Sequence, residues 1–102
     1  MTDQNKQVRI LKLHNLAIEK FGAHSRIDKA IEECAELLHA LVAFKKNPSD
    51  LANAMDLLIE LADVEIVGPG VALVLNKLHG INFDDFTRAQ NSQLLRFEAA
   101  LK

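Results

Sequence analysis

The sequence predicts an all-α protein that forms a four-helix-bundle-like single domain over residues 1–102. Leu and Ala are the dominant apolar residues and β-branched runs are scarce, which favours helices. Apolar residues also recur at helical spacing along most of the chain, and breaker residues leave only short connections between these segments. A chain of 102 residues is long enough for one core.

The first helix is predicted over residues 3–21, where a wide apolar arc recurs at helical spacing, and Gly22 is suited to end it. His14 lies within this arc. It is interpreted as a hydrogen-bonded residue of the core or its rim, with contact to a nucleotide base as the alternative. Ser25 and Asp28 have the spacing of a capping box, which predicts the start of the second helix.

The second helix is predicted to run to about Lys46, with an apolar centre line that should face the core. The centre line consists of Ile27, Ile31, Cys34, Leu38, Leu41 and Val42. The cysteine on this apolar side is therefore interpreted as a core residue rather than a nucleophile. Glu33 and Glu36 lie at one edge of the apolar arc, whereas Glu32 faces away. From this helix alone, an ordinary solvated face is the simpler interpretation.

The third helix is predicted over 51–67, with Ser49 or Asp50 as its N-cap, and it is apolar around most of its circumference. One polar stripe interrupts that surface, at a spacing that places its members on one face. The stripe consists of Asn53, Asp56, Glu60 and Asp63. Buried carboxylates need cations, hydrogen-bond donors or water, so the chain should supply a polar wall opposite the stripe.

The Gly-Pro-Gly sequence at 68–70 predicts a kink or a short loop, because proline lacks an N–H and both residue types break helices. A short apolar helix is expected over 71–79, with Gly80 as its C-cap. A turn is predicted over 81–85, and a last helix over 86–102.

Composition excludes several classes of function. The formal net charge of −2 gives no broad electrostatic attraction for a nucleic acid polymer. The N-terminus is polar, unlike a signal peptide, and the longest apolar run is too short to span a membrane. A single cysteine excludes an intrachain disulfide and fits a reducing compartment. We therefore expect a cytoplasmic protein with neither a membrane nor a nucleic acid polymer as partner.

Two helices each carry a carboxylate pair three residues apart, Glu33 with Glu36 and Glu60 with Asp63. Residues at this spacing project from the same side of a helix. If the two helices pack antiparallel across the turn at 47–50, the four side chains should converge. Such a cluster of like charges needs divalent cations, and oxygen ligands of this kind suit Mg²⁺ or Mn²⁺.

The octapeptides AIEECAEL at 30–37 and IELADVEI at 59–66 resemble the ExxE…ExxD signature of the MazG-like nucleoside triphosphate pyrophosphohydrolases. That family belongs to the all-α NTP pyrophosphatase superfamily. The resemblance implies a Mg²⁺-dependent enzyme of nucleotide-pool house-cleaning, which cleaves a nucleoside triphosphate to the monophosphate and pyrophosphate. It also implies that the metal ligands and catalytic residues are Glu33, Glu36, Glu60 and Asp63. Glu36 is the preferred candidate for the base that takes a proton from water.

Candidate substrate-binding residues lie on three helices. Asp56 and Asn53 continue the carboxylate face, and His14 is available on the first helix. Small members of the family tend to carry a phosphate-binding lysine on the last helix, and they continue the third helix smoothly where this chain has Gly-Pro-Gly. The residues of this chain that come nearest to that lysine are Arg88, Gln93 and Arg96.

Two alternative functions fit parts of the pattern. Glu36 and His39 match the Glu-x-x-His motif of di-iron carboxylate bundles, although the sequence has no second copy of that motif. A non-catalytic nucleotide-binding or interaction module that kept the fold is the other alternative.

A homo-oligomer, either a dimer or a tetramer, is also expected. The helices at 51–67 and 71–78 are apolar on more sides than a small bundle can cover, and large exposed apolar patches usually mark partner surfaces. The resemblance implies the same, because that family typically assembles its pockets from neighbouring subunits.

Overall fold

The computed structural model describes residues 3–102, with side chains described from Asn5 onward. Within that range all regular structure is helical and there is no strand, which confirms the all-α class and the four helices. The helices are α1 (Asp3–Phe21), α2 (His24–Lys46), α3 (Leu51–His79) and α4 (Phe83–Ala100). None of them, over the residues described, combines the length and apolarity that a membrane crossing requires.

The antiparallel pair of α2 and α3 is the main packing contact of the fold, and α1 packs against both helices. Asp50 caps the start of α3 as predicted, because its side chain accepts a 2.8 Å hydrogen bond from the backbone of Ala52. The Asn53 amide donates to the carbonyl of Ala43 at 3.3 Å, near the end of α2. These bonds fix the register of the pair close to its turn.

Two helix ends confirm the prediction of glycine caps. Gly22 and Gly80 have φ angles of 86° and 68°, a left-handed conformation that glycine adopts without strain. The N–H of Gly22 donates to Ile18 and that of Gly80 to Asn76, both at 2.8 Å.

The predicted capping box of Ser25 and Asp28 is wrong. The second helix already begins at His24, which places Ser25 inside the first turn. The hydroxyl of Ser25 donates instead to the carbonyl of Gly22 at 2.7 Å. A hydroxyl that far into the helix cannot accept from the backbone donors that an N-cap serves.

The capping box of this chain lies at the start of α4. The backbone of Asn82 donates to the Asp85 carboxylate at 2.9 Å, and the backbone of Asp85 donates to the Asn82 side chain at 3.0 Å. These bonds start the helix at Phe83, so the predicted turn over 81–85 is wrong in its second half. The backbone hydrogen bond and the neighbouring Arg88 lower the pKa of Asp85.

Of the two alternatives predicted at 68–70, the short loop is wrong, and so is the separate helix after it, because α3 continues through Pro69 to His79. Proline removes the hydrogen bond that the carbonyl of Glu65 would receive. The next carbonyl, that of Ile66, accepts a 2.8 Å hydrogen bond from Nε2 of His14 on α1. Packing of α1 against this segment therefore compensates for the weakness of the helix.

Few residues are buried in the described chain: Ile10, His14, Glu33, Ala40, Val67, Gly70 and Val74. The expectation that the centre line of α2 faces the core is wrong. Ile27 is half-buried, whereas Cys34 and the other members are exposed. The small side chain of Ala40 and the carboxylate of Glu33 turn toward α3 instead. The last helix, α4, packs against none of the other three in the part of the chain described.

Gly70 packs directly against the ring of His14 and leaves no room there for a side chain. A Cβ atom there would lie 2.5 Å from Nδ1 of the buried His14 ring, whereas a Cβ atom at Gly68 would meet no atom within 4 Å. We expect Gly70→Ala to lower the free energy of unfolding by about 1–3 kcal/mol through overpacking. Urea denaturation followed by circular dichroism measures this change.

Gly68→Ala is the matched control, in the same helix and with the same added methyl group. It should raise the free energy of unfolding by about 0.5–1 kcal/mol, because alanine is the better helix former. Equal effects of the two substitutions would contradict the packing of His14 on Gly70.

Candidate metal centre

The two carboxylate pairs predicted from the sequence meet between α2 and α3. Carboxylate oxygens of Glu33, Glu60 and Asp63 lie within 4.8 Å of one another. Glu33 also belongs to a second group, with Glu32 and Glu36, whose oxygens lie within the same distance. The antiparallel register of the helix pair brings the residues together, since Glu33 on α2 stands opposite the last two members of the α3 stripe.

Burial divides this cluster. Glu33 is only 5% exposed, Glu60 and Asp63 are half-buried, and Glu36 is exposed. One oxygen of Glu33 and one of Glu60, Oε2 in each case, are buried and have no hydrogen-bond partner among the described residues. An ionised carboxylate without a partner is unfavourable in such a position. Two unsatisfied oxygens that belong to one group indicate a site for a cation.

Lys29 is a residue of the site that sequence reasoning missed. Its Nζ lies 3.0 Å from Oε1 of Glu33 and 3.7 Å from Oε1 of Glu32. The hydrogen bond to Glu33 and the charge of Glu32 raise the pKa of Lys29. The spacing of four residues between Lys29 and Glu33 was the available signal, since such pairs are neighbours on a helix. One lysine charge leaves most of the cluster's negative charge without compensation.

The electrostatics of Glu60 reflect this surplus of negative charge. Burial raises the pKa of Glu60, and the charges of Glu36 and Asp63 raise it further. Both causes act against the ionised form. A divalent cation among these carboxylates would offset the repulsion from Glu36 and Asp63 and would favour the ionised form of Glu60.

Glu32 differs from its predicted position. It is exposed, as expected of a residue that faces away, but its carboxylate reaches back toward Glu33 and Glu36. The long glutamate side chain and the spacing of four residues to Glu36 explain this reach. Glu32 therefore belongs at the outer edge of the cluster.

A cleft of about 290 Å³ continues from the carboxylates toward the turn between the two helices. Its lining residues are Glu36, His39, Ala40, Ala43, Asn53, Asp56 and Glu60. Asn53 and Asp56 thus lie beside the cluster, in the order that the stripe predicts. The Asn53 amide is already engaged with the end of α2, whereas Asp56 is exposed to solvent.

The other predicted substrate residues lie elsewhere. His14 is 5% exposed and its Nε2 is bonded to the carbonyl of Ile66, which agrees with the interpretation of a hydrogen-bonded core histidine. Arg88, Gln93 and Arg96 lie on α4, which does not pack against α2 or α3 in the described chain. Arg88 pairs with Asp85 of its own helix. A role in phosphate binding stays a prediction for these three residues.

The type of ligand atom in the cluster distinguishes Mg²⁺ or Mn²⁺ from the iron of a di-iron bundle. Within the described residues, both groups that could hold an ion consist of carboxylates alone. His39 lines the adjacent cleft but belongs to neither group. Oxygen ligands without histidine favour a hard cation such as Mg²⁺ or Mn²⁺ over the iron of a di-iron bundle.

Comparisons of the chain with protein-family models, with curated proteins and with solved structures find no match.

Glu60→Gln tests the repulsion within the cluster. In the absence of divalent metal at neutral pH, we expect this variant to have a higher melting temperature than the wild type. The folded-state pKa of Glu60 is raised above the ordinary value of 4.5, so ionisation disfavours the folded state. Ionised Glu60 destabilises the folded state fully above its folded-state pKa, and this destabilisation disappears as the pH falls below about 4.5. The difference in melting temperature between the variant and the wild type should disappear over the same pH range, and thermal melts at several pH values measure it.

Glu65→Gln is the control for this experiment, because Glu65 is exposed on the same helix and lies outside the stripe. It removes the same charge and should leave the melting temperature nearly unchanged. If both variants gained equally at neutral pH, the effect would come from net charge, and repulsion at Glu60 would be disproved.

Proposed function

We propose that this protein is a Mg²⁺-dependent nucleoside triphosphate pyrophosphohydrolase that releases the monophosphate and pyrophosphate. The observation that carries the proposal is the pair of buried oxygens without partners, one on Glu33 and one on Glu60, in a cluster made of carboxylates. These residues belong to the ExxE and ExxD segments that resemble the MazG-like signature. The resemblance supports the reaction, and the unsatisfied oxygens support the metal.

In this proposal Glu33, Glu36, Glu60 and Asp63 hold the metal. Bound Mg²⁺ would supply positive charge for the phosphate oxygens and would lower the pKa of a bound water. Lys29 keeps the Glu33 carboxylate in place through the 3.0 Å contact with Oε1, which leaves Oε2 as the free ligand atom.

Glu36 is the best candidate for the general base. It is exposed at the cleft, so a water molecule can reach it, and it lies next to the cluster. The oxygen of water forms a bond to the α-phosphorus, and the bond from that phosphorus to the oxygen that bridges to the β-phosphorus breaks. Pyrophosphate leaves with the electron pair of that bond. The proton of the water passes to the Glu36 carboxylate. No side chain serves as a nucleophile.

The cleft between α2 and α3 is the proposed position of the substrate. It opens directly from the carboxylates, and Asp56 and Asn53 line it further along α3. The side chain of Asp56 is exposed and offers an acceptor for a base or sugar donor. The bond from Asn53 to Ala43 assigns that amide to holding the cleft together.

A second candidate function is a nucleotide-binding module without turnover. The position of α4 favours it, because Arg88 and Arg96 lie on a helix that does not pack beside the cleft in the described chain. Gln93 also stands near the place where the family tends to have a lysine. Binding by such a module would depend on the same carboxylates and metal.

Pyrophosphate release from a panel of ribo- and deoxynucleoside triphosphates tests the proposal. We expect Mg²⁺-dependent release that EDTA abolishes. Glu33→Gln and Glu60→Gln should each lower the rate by more than about 100-fold, since even partners outside the ligand shell of a metal contribute about 10- to 100-fold. Glu65→Gln on the exposed side of α3 should retain the wild-type rate.

Isothermal titration calorimetry measures the binding of nucleotide and metal and so distinguishes the enzyme from the binding module. Mg²⁺-dependent nucleotide binding without pyrophosphate release would overturn the enzyme in favour of the binding module. Failure of the wild type to bind Mg²⁺ or Mn²⁺ would overturn both functions. Full activity in Glu60→Gln would disprove the role of the cluster.

A further inference from the structure

The cleft between α2 and α3 has two ends of different character. The carboxylate cluster lies at one end, and Asn53 and Asp56 line the other end, toward the turn that joins the two helices. Asp56 and Asp63 are seven residues apart, which is about 10 Å along the helix axis. This separation is comparable to the length of a nucleoside. A nucleotide whose phosphates lie over the cluster therefore extends its base toward Asp56.

The carboxylate of Asp56 is available to a ligand. The residue is exposed at the cleft, and no side-chain hydrogen bond or ion pair joins it to another residue of the described chain. An ionised carboxylate can only accept hydrogen bonds, and its two oxygens lie side by side. A ligand that satisfies both oxygens at once must present two neighbouring N–H donors.

Asn53 adds another acceptor to the same end of the cleft. Its amide nitrogen lies 3.3 Å from the carbonyl oxygen of Ala43 and 3.5 Å from that of Asn47. Carbonyl oxygens only accept hydrogen bonds, so the nitrogen must face them and both of its N–H groups are engaged. The amide oxygen of Asn53 is left to accept. The two side chains therefore offer a ligand acceptors and no free N–H.

The nucleic acid bases differ in the donors along their Watson–Crick edge. Guanine presents N1–H beside the N2 amino group, which are two neighbouring donors. Adenine and cytosine each present one amino group beside a ring nitrogen that accepts, and uracil and thymine present one N–H between two carbonyl oxygens. Guanine alone among these bases satisfies both oxygens of a carboxylate, whereas each of the others brings an acceptor against one of them.

We infer, on the basis of the proposed function, that this end of the cleft binds guanine and that the preferred substrate is a guanine nucleoside triphosphate. The two oxygens of Asp56 accept hydrogen bonds from N1 and N2 of the base. His39 lines the α2 wall and is the one lining residue whose side chain has an N–H that can donate to O6 of guanine. The cleft volume of about 290 Å³ is close to the lower limit of about 300 Å³ for small-molecule sites, which suits a nucleoside.

Initial rates on different nucleotides test this preference. We expect kcat/KM for GTP or dGTP to exceed that for the adenine, cytosine and uracil nucleotides by about 10- to 100-fold, the usual contribution of a hydrogen bond to a charged group. Inosine triphosphate lacks the N2 amino group and should fall below GTP by a similar factor. Isothermal titration calorimetry with the product GMP, compared with AMP, CMP and UMP in the presence of Mg²⁺, measures the same preference without turnover.

Asp56→Asn should change the preferred base. An asparagine side chain presents one acceptor and one donor, which complements the N1–H and the neighbouring O2 carbonyl of xanthine. We expect the variant to lose at least about tenfold in kcat/KM for GTP and to prefer xanthosine triphosphate. Asp56→Ala should lose the guanine preference without gaining one for xanthine. Asp84→Asn is the matched control, because Asp84 is exposed on α4, away from the cleft, and it should keep the wild-type preference.

Three results would overturn the assignment of guanine. Mg²⁺-dependent pyrophosphate release without a guanine preference would disprove it and leave the proposed function standing. An unchanged base preference in Asp56→Asn, with an altered preference between ribose and deoxyribose, would show that Asp56 contacts the sugar. If neither the rates nor calorimetry detected any nucleotide, guanine recognition and the proposed function would both be disproved.

Discussion

The contact of α2 with α3 that buries Glu33 is the constraint on which the arrangement depends. Ala40 allows the two helices to approach, and the antiparallel register places Glu33 opposite Glu60 and Asp63. Burying a carboxylate at the main helix contact is unfavourable unless a cation accompanies it. Lys29 satisfies one oxygen of Glu33 and leaves the other without a partner among the described residues. The fold therefore buries an incompletely satisfied carboxylate at a place where a metal ion would stabilise it.

The long third helix depends on a different contact. Pro69 interrupts the hydrogen bonding of α3 beyond the carboxylate stripe, and the segment stays helical because α1 packs on it. His14 supplies a donor to Ile66, and Gly70 leaves room for the imidazole ring. One histidine thus supports the helix by hydrogen bonding and by shape. This contact satisfies Nε2 of the buried His14 without any role in a site, whereas Nδ1 has no hydrogen-bond partner among the described residues.

The sequence predicts the parts of this structure that follow from local spacing. The helix period, the glycine caps at Gly22 and Gly80, and the Asp50 cap are properties of short segments, and the structure confirms them. The convergence of the carboxylates is predicted only on a condition, since two pairs joined by a short turn meet when both helices turn those faces toward each other. The continuation of α3 through Pro69 could not, because it depends on His14, which lies 52 residues from Ile66 along the chain. Ser25 failed as a cap for a simpler reason, since the helix begins one residue before it.

The rotation of α2 was the least predictable feature, and it links the candidate site to the exposed surface. The apolar period of α2 favours turning Cys34 and Leu38 inward, and that orientation would carry Glu33 away from α3 by about 100°, the angle between successive residues of a helix. The observed orientation does the opposite, because Glu33 and Ala40 face α3 and the apolar line faces solvent. A helix can turn only one face toward a given neighbour, so α2 cannot pack both its Glu33 side and its apolar line against α3. A chain that gathers its carboxylates between α2 and α3 therefore leaves the apolar line of Ile31, Cys34, Leu38 and Leu41 exposed on the outside of the pair.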